Sequence, residues 1–364
     1  MTHIEGVTGR IQQLCCLGLG GQAIMPTLLK ELHTLVPSHD NMFSWVDENY
    51  QVSNMCFESP THVEVAPIYL SEFYNKRESE VYLPFPTLMQ LQHGVENWER
   101  WLKVDKRSFL NHDYYNLIFR PLGVDHFLNA TIRDKSRALG LLLLLRARSD
   151  PEFTEKEKGN LSGILPYIAH GLTTFQGLQH DWTDSEEVGF MVLNRQRDII
   201  HMSTYAKKLL FLAAYPEISP RFDLKQTNTP IMAKLRELCS NLRSVFEERT
   251  ATRPPVYEHH NAWGRFILRA YWLNDVNPWG YAYMGVTIML QVPRPIGLMR
   301  QLADAPLSQA QARLCLGLAM GKSYAEIGQP MGKSEVAVAA ECKRIYEKLN
   351  VQGRQELIEK LGAL

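Results

Sequence analysis

The clearest helical pattern in the chain lies in PEFTEKEKGNLSGILPYIAHGLTTF, where Leu161, Ile164, Leu165, Ile168 and Leu172 recur at steps of three and four. That spacing places them on one face of a helix. Thr154, followed three residues later by Glu157, predicts a capping box at its start. Upstream, DHFLNATIRD and RALGLLLLLRAR are apolar runs of strand length, and Lys135-Ser136 predicts the turn that joins them. NMFSWVD and YQVSNMCF read as another strand pair around Glu48-Asn49, after a helical region from Ile4 to Leu35 that is interrupted by Gly18, Gly20 and Gly21. IYLSEFYNKRESEVYL and the aromatic-rich stretch from Leu88 to Leu117 carry apolar residues at helical intervals.

This order predicts an antiparallel sheet covered by helices over residues 1–180, the first unit of a multidomain α+β chain. A second such unit is predicted over 181–292. It opens after DWTDSEE with the strands GFMVLN and IIHMS, continues through the helix TYAKKLLFLAA and a helix from Thr229 to Leu242, and closes with VYEHHNAW, RFILRAYWL and YAYMGVTIMLQV. Turn signals stand at Gly264 and from Asn274 to Pro278. Pro293, Pro295 and Pro306 break regular structure, so residues 293–306 are expected to form a linker or a short helix and to act as the hinge. In element order and patterning the first unit resembles a GAF domain, most closely over residues 125–172, and the second resembles a PAS-type sensory fold.

At 364 residues the chain exceeds what one core usually serves. Lys plus Arg and Asp plus Glu balance at 39 each, so any surface for nucleic acid must be local. The six cysteines include no CxxC pair, which points to reduced thiols and against a zinc site. The N-terminus lacks a basic region followed by a long apolar run, and the apolar stretch Ala138 to Leu145 is far shorter than the roughly 20 residues of a membrane helix. A cytoplasmic protein without a membrane partner is the expectation.

From Leu307 four helices can be drawn: Ser308 to Met320, Tyr324 to Gln329, Glu335 to Leu349 and Arg354 to Leu361. Gly321 closes the first, Ser323 and Ser334 cap the second and third, and Met331-Gly332-Lys333 supplies a tight turn. With Leu307-Ser308, Gly321, Ser323, Glu326-Ile327, Met331, Ser334, Val338, Ile345, Lys348-Leu349, Val351 and Arg354 at matching spacing, residues 307–364 resemble the LuxR/GerE-type helix-turn-helix domain. In the third helix Val338, Cys342, Ile345 and Leu349 form an inward stripe. Ala337, Ala340, Glu341, Arg344 and Lys348 lie opposite, flanked by Lys343, and Ser334 caps the helix; these seven residues are the candidate DNA contacts. The family commonly has Thr, Lys and His at the positions of Ala337, Ala339 and Glu341, and an Arg-Glu pair where this chain has Ala310-Gln311. From Pro306 onward the excess of cations is only two.

The resemblance implies a DNA-binding transcriptional regulator, dimeric on paired half-sites, responsive to a small-molecule effector, and touching RNA polymerase if it activates. The alternative is a ligand-binding or interaction protein whose degenerate C-terminal domain serves dimerisation or partner binding. Trp98, Trp101, Tyr114 and Tyr115, with Trp45 on a strand opposite, are the candidate lining of a ligand pocket, core packing being the other reading. His259-His260 stand on a strand, where neighbours face opposite ways, so they suit no single metal ion. GLGGQ at Gly18 lacks the full dinucleotide pattern and reads as a helix break, and Cys15-Cys16 as buried thiols. No nucleophile elbow, zincin helix, P-loop or kinase signature is present, so neither catalysis nor a cofactor is expected.

Overall fold

Left-handed glycines divide the first helical region. In the computed structural model, α1 (His3–Cys15) ends and α2 (Gly21–Leu35) begins around Gly18 and Gly20, whose φ values are 70° and 83°. A residue with a Cβ is strained there by about 1–2 kcal/mol. The structure describes all residues except 1–2, 92, 136, 176, 178–180, 227, 247–254, 274–282, 304 and 363–364. The turn signals from Asn274 to Pro278, and Ser136, lie outside the described residues.

The chain continues through the hairpin β1 (Asp40–Val46) and β2 (Val52–Phe57) to α3 (His62–Ile68), then α4 (Phe85–Gln90), β3 (Val95–Asn97), α5 (Lys106–Asn111), β4 (Val124–Asp134), β5 (Arg137–Ala147) and α6 (Glu155–Thr173). The strands form one antiparallel sheet in the order β2-β1-β5-β4-β3. Side chains alternate across it. Phe43, Leu142 and Leu144 are buried on the side of α1, α2 and α6, while Met42, Ser44, Leu141 and Leu143 face the layer of α3 and α4. Thr154 caps α6 with the full capping box to Glu157, as its sequence predicts.

Two stretches expected to be helical are interrupted. After Ile68 the helix widens into a π turn at Tyr69–Phe73, and Asn75, at φ 55°, turns the chain into a short 3-10 segment at Arg77–Glu80. The region from Leu88 to Leu117 contains β3, a three-residue strand too short to show alternation.

The second sheet has the order β7-β6-β10-β9-β8, built from β6 (Trp182–Leu193), β7 (Ile199–Met202), β8 (Val256–Asn261), β9 (Gly264–Leu273) and β10 (Tyr283–Pro293). β6 is longer than its apolar core, because DWTDSEE, expected to precede the strand, supplies its start and pairs Trp182 with Pro293 and Asp184 with Gln291. α7 (Thr204–Ala214) and α8 (Pro230–Phe246) cover one face of this sheet. Gly189 admits α7 closely: a Cβ there would lie 2.3 Å from Ala206 Cα.

The proline segment is the helix of its two alternatives. α9 (Arg294–Ala303) follows β10 directly and buries Pro295, Ile296, Leu298 and Leu302, so among its described residues the expected linker over 293–306 is mostly packed helix. Proline suits the first turn, where its missing N–H costs nothing. Four further helices complete the chain, α10 (Gln309–Ala319), α11 (Tyr324–Gly328), α12 (Glu335–Leu349) and α13 (Arg354–Gly362). Leu314, Leu318, Val338, Cys342, Ile345 and Leu357 form their shared core.

The two sheets meet through α7. Lys208 on α7 donates to the Glu58 carbonyl at 3.0 Å and pairs with Glu187, which also receives Lys30 from α2 at 3.3 Å. The Ile218 amide donates to Asn54 at 2.8 Å, and Trp45 and Trp263 stand 6.5 Å apart edge to face. Among the described residues no helix is long and apolar enough to cross a membrane.

Candidate functional site

Cap chemistry organises the C-terminal helices. Ser308, Ser323 and Ser334 each accept a hydrogen bond from the backbone amide three residues on, and the first two form capping boxes with Gln311 and Glu326. Gly321 and Gly332, at φ 83° and 62°, make the reversals after α10 and before α12. Gly328 keeps the second turn tight, since a Cβ there would come within 2.5 Å of the Lys333 carbonyl.

α12 buries three of the four residues of the expected inward stripe, and Leu349 is only partly buried. Val338, Cys342 and Ile345 are fully buried, and Ala337, Ala340, Lys343, Arg344 and Lys348 are exposed with the Ser334 cap. Glu341 is half-buried and already engaged. Gln311 Nε2 donates to it at 2.8 Å, Arg344 pairs with it at 3.2 Å, and Lys348 donates to Gln311 Oε1 at 3.0 Å. The Gln311 hydrogen bond, reinforced by Arg344, holds the Glu341 carboxyl below its ordinary range despite some desolvation. Two residues escaped the sequence reading. Gln311 entered only as a departure from the family's Arg-Glu pair, and Val336, an apolar side chain 80% exposed at the start of α12, breaks the inward pattern without a signal of its own.

A second feature lies in the first sheet. A cavity of about 80 Å³ sits between the β1, β4 and β5 face carrying Met42, Ser44, Asn129 and Leu143 and the layer carrying His62, Tyr69, Glu78, Tyr82 and Tyr114. Its wall is apolar apart from a few buried polar groups. Asn129 Nδ2 donates to the Tyr82 oxygen at 2.8 Å, while Asn129 Oδ1 finds no partner among the described residues. His62 sets Nδ1 3.3 Å from both Asp40 and the Ser59 carbonyl and leaves Nε2 unpaired among the described residues. Glu78, 1% exposed, accepts from the Asn75 and Phe85 amides and from the Tyr69 hydroxyl at 3.0 Å. Burial pushes its carboxyl above the ordinary range, and those three donors only moderate the shift.

Of the residues expected to line a pocket, only Tyr114 does so. Trp45 is one residue out of phase with Ser44 and points to the opposite face of β1, against Phe43 at 4.8 Å. Trp98 is core, stacked on Phe127 at 4.8 Å, and Trp101 packs on His93 at 4.6 Å. Tyr115 turns outward and donates to Asp125.

Burial raises the thiols of Cys15 and Cys56 to about 12, and all six cysteines are free. Glu99, His126 and Glu152 bring potential metal donors within 4.8 Å of one another, with Glu99 already paired to Lys106 at 3.2 Å.

No family model matches the chain, and no curated protein matches it. Among solved structures, the sensor region of a sensor histidine kinase is similar at 11% identity, covering 75% of this chain and 93% of that one, with a TM-score of 0.19. So low a score carries no weight for fold or function.

Proposed function

We propose that the chain is a cytoplasmic transcriptional regulator in which α10 to α13 form a LuxR/GerE-type helix-turn-helix, acting as a homodimer on paired DNA half-sites. The observation that carries this reading is α12 itself: a Ser334-capped helix entered by a tight turn, with small residues, Arg344 and Lys348 on its free face. Ala337 and Ala340 let such a helix approach base edges closely, Val336 suits a thymine methyl group, and Arg344 suits guanine or phosphate. Glu341, which alone would repel phosphate, is drawn to Gln311 and Arg344 and so weakens the repulsion. The two sheet units then serve as GAF-like and PAS-like sensory domains.

Retrieval of genomic DNA fragments by the purified full chain, at two salt concentrations and with Arg344→Ala as control, tests the proposal. Specific fragments that weaken with salt and vanish in the variant are expected. Equal retrieval by the variant, or none by either protein, sinks it in favour of a C-terminal domain that binds a protein partner.

A further inference from the structure

We propose that the cavity of the first sheet binds a small primary ammonium compound with an apolar body, its charge paired with Glu78. Three observations lead there. Glu78 is a buried carboxylate on the cavity wall with no ion-pair partner among the described residues, held by two amides and one phenol. Asn129 Oδ1 and His62 Nε2, on residues 1% and 2% exposed that line the same space, are unpaired acceptors. Tyr69, Tyr82 and Tyr114 cluster around it, with Tyr114 centred 6.2 Å from Tyr69 and 6.4 Å from Tyr82.

These features select a guest by chemistry. An anion would meet Glu78 with no Lys or Arg on the wall. A pure hydrocarbon would leave the two acceptors without donors and the Glu78 charge without a counter-charge. An ammonium group supplies both the charge and three N–H donors, and aromatic faces tolerate a cation. Leu141, Leu143, Leu145 and Phe127 take the apolar part. At about 80 Å³ the space is smaller than the roughly 150 Å³ that holds benzene in an engineered cavity, so the body is a short branched chain or its equivalent. Any effect of this ligand on DNA rests on the proposed regulator reading. Binding does not.

Isobutylamine, isobutanol and isobutyrate share one carbon skeleton and differ in charge. Titrated at pH 7 without DNA into the full chain carrying 13C-methyl methionine, isobutylamine is expected to shift the Met42 and Met55 signals saturably, at least tenfold more tightly than isobutanol, with no shift from isobutyrate. Glu78→Gln is expected to weaken the amine at least tenfold and to change isobutanol less than threefold. Isobutanol or isobutyrate binding as tightly as the amine, no saturable shift with the amine, or a folded Glu78→Gln protein that binds the amine undiminished would overturn the proposal. If that variant does not fold, the ranking of the three probes on the unsubstituted protein decides alone. A positive titration beside a failed DNA retrieval removes the regulator reading and leaves the site.

Discussion

Gln311 on α10 donates to Glu341 on α12 at 2.8 Å, and the same amide receives Lys348 at 3.0 Å. One neutral side chain thus positions an acid and a base on the face proposed to meet DNA. Gln311 itself is 6% exposed and also closes the Ser308 capping box, so its geometry is fixed from both ends.

Replacing Gln311 by Leu should therefore act on stability and on the face together. The loss of a cap partner and of the donor to Glu341 should cost about 1–2 kcal/mol, read as a lower unfolding midpoint, with weaker DNA retrieval. An unchanged midpoint would mean that the network is incidental.

Arg344→Ala should separate the two properties. The side chain is 72% exposed and its i,i+3 pair with Glu341 is of the kind worth little, so thermal stability should stay within about 0.5 kcal/mol. DNA affinity should fall by about 1–3 kcal/mol, or roughly 5- to 150-fold. Titration of the retrieved fragments against both proteins measures the ratio.

Lys208→Met should be the most damaging of these changes. Lys208 is 4% exposed, and without it Glu187 keeps only Lys30 and the Glu58 carbonyl loses a donor. Breaking such a buried pair costs about 3–5 kcal/mol, whereas removing both charges is often tolerated. Denaturant unfolding should place Lys208→Met well below Lys208→Met with Glu187→Leu; equal midpoints would contradict this account.

His93 predicts an acid-sensitive region. Burial lowers its imidazole to about 4, with Arg133 and Arg100 acting in the same direction and the hydrogen bond to the Leu91 carbonyl opposing. The folded chain then binds fewer protons than the unfolded chain between about pH 6.5 and 4. The stability His93 contributes is present above that window and is lost as pH falls through it. His93→Gln should flatten the fall in melting temperature between pH 7 and 4, and an unaltered slope would assign it to other groups.

Features governed by neighbours in sequence were legible. Thr154 with Glu157, Ser323 with Glu326, Ser334, and the glycine breaks at Gly18 and Gly20 stand where cap and turn chemistry places them. The strand pairs and the inward stripe of α12 followed from period alone. The cavity was not legible, because its wall joins residues from Met42 to Leu145 that only the register of β1, β5 and β4 brings into one row, Met42 beside Leu143 and Leu143 beside Asn129. Counting aromatics selected Trp45 and Trp98, but one step along β1 turns Trp45 to the other face, and Trp98, on a 3-10 turn, packs into the core against Phe127. Glu78 looked like one charge among several in YNKRESE, and only the break of the expected helix at Asn75 carries it inward.

Strand β10 becomes helix α9 between Pro293 and Arg294 without a single residue of slack. The far side of α9 rests on α10 and α13, while α10 also abuts α1, where a Cβ on Gly9 would overlap the Gln309 amide. The C-terminal helices are clamped at two points, one belonging to each sheet. Among the described residues, a rotation of one sheet against the other would reach these helices through packed contacts at both points.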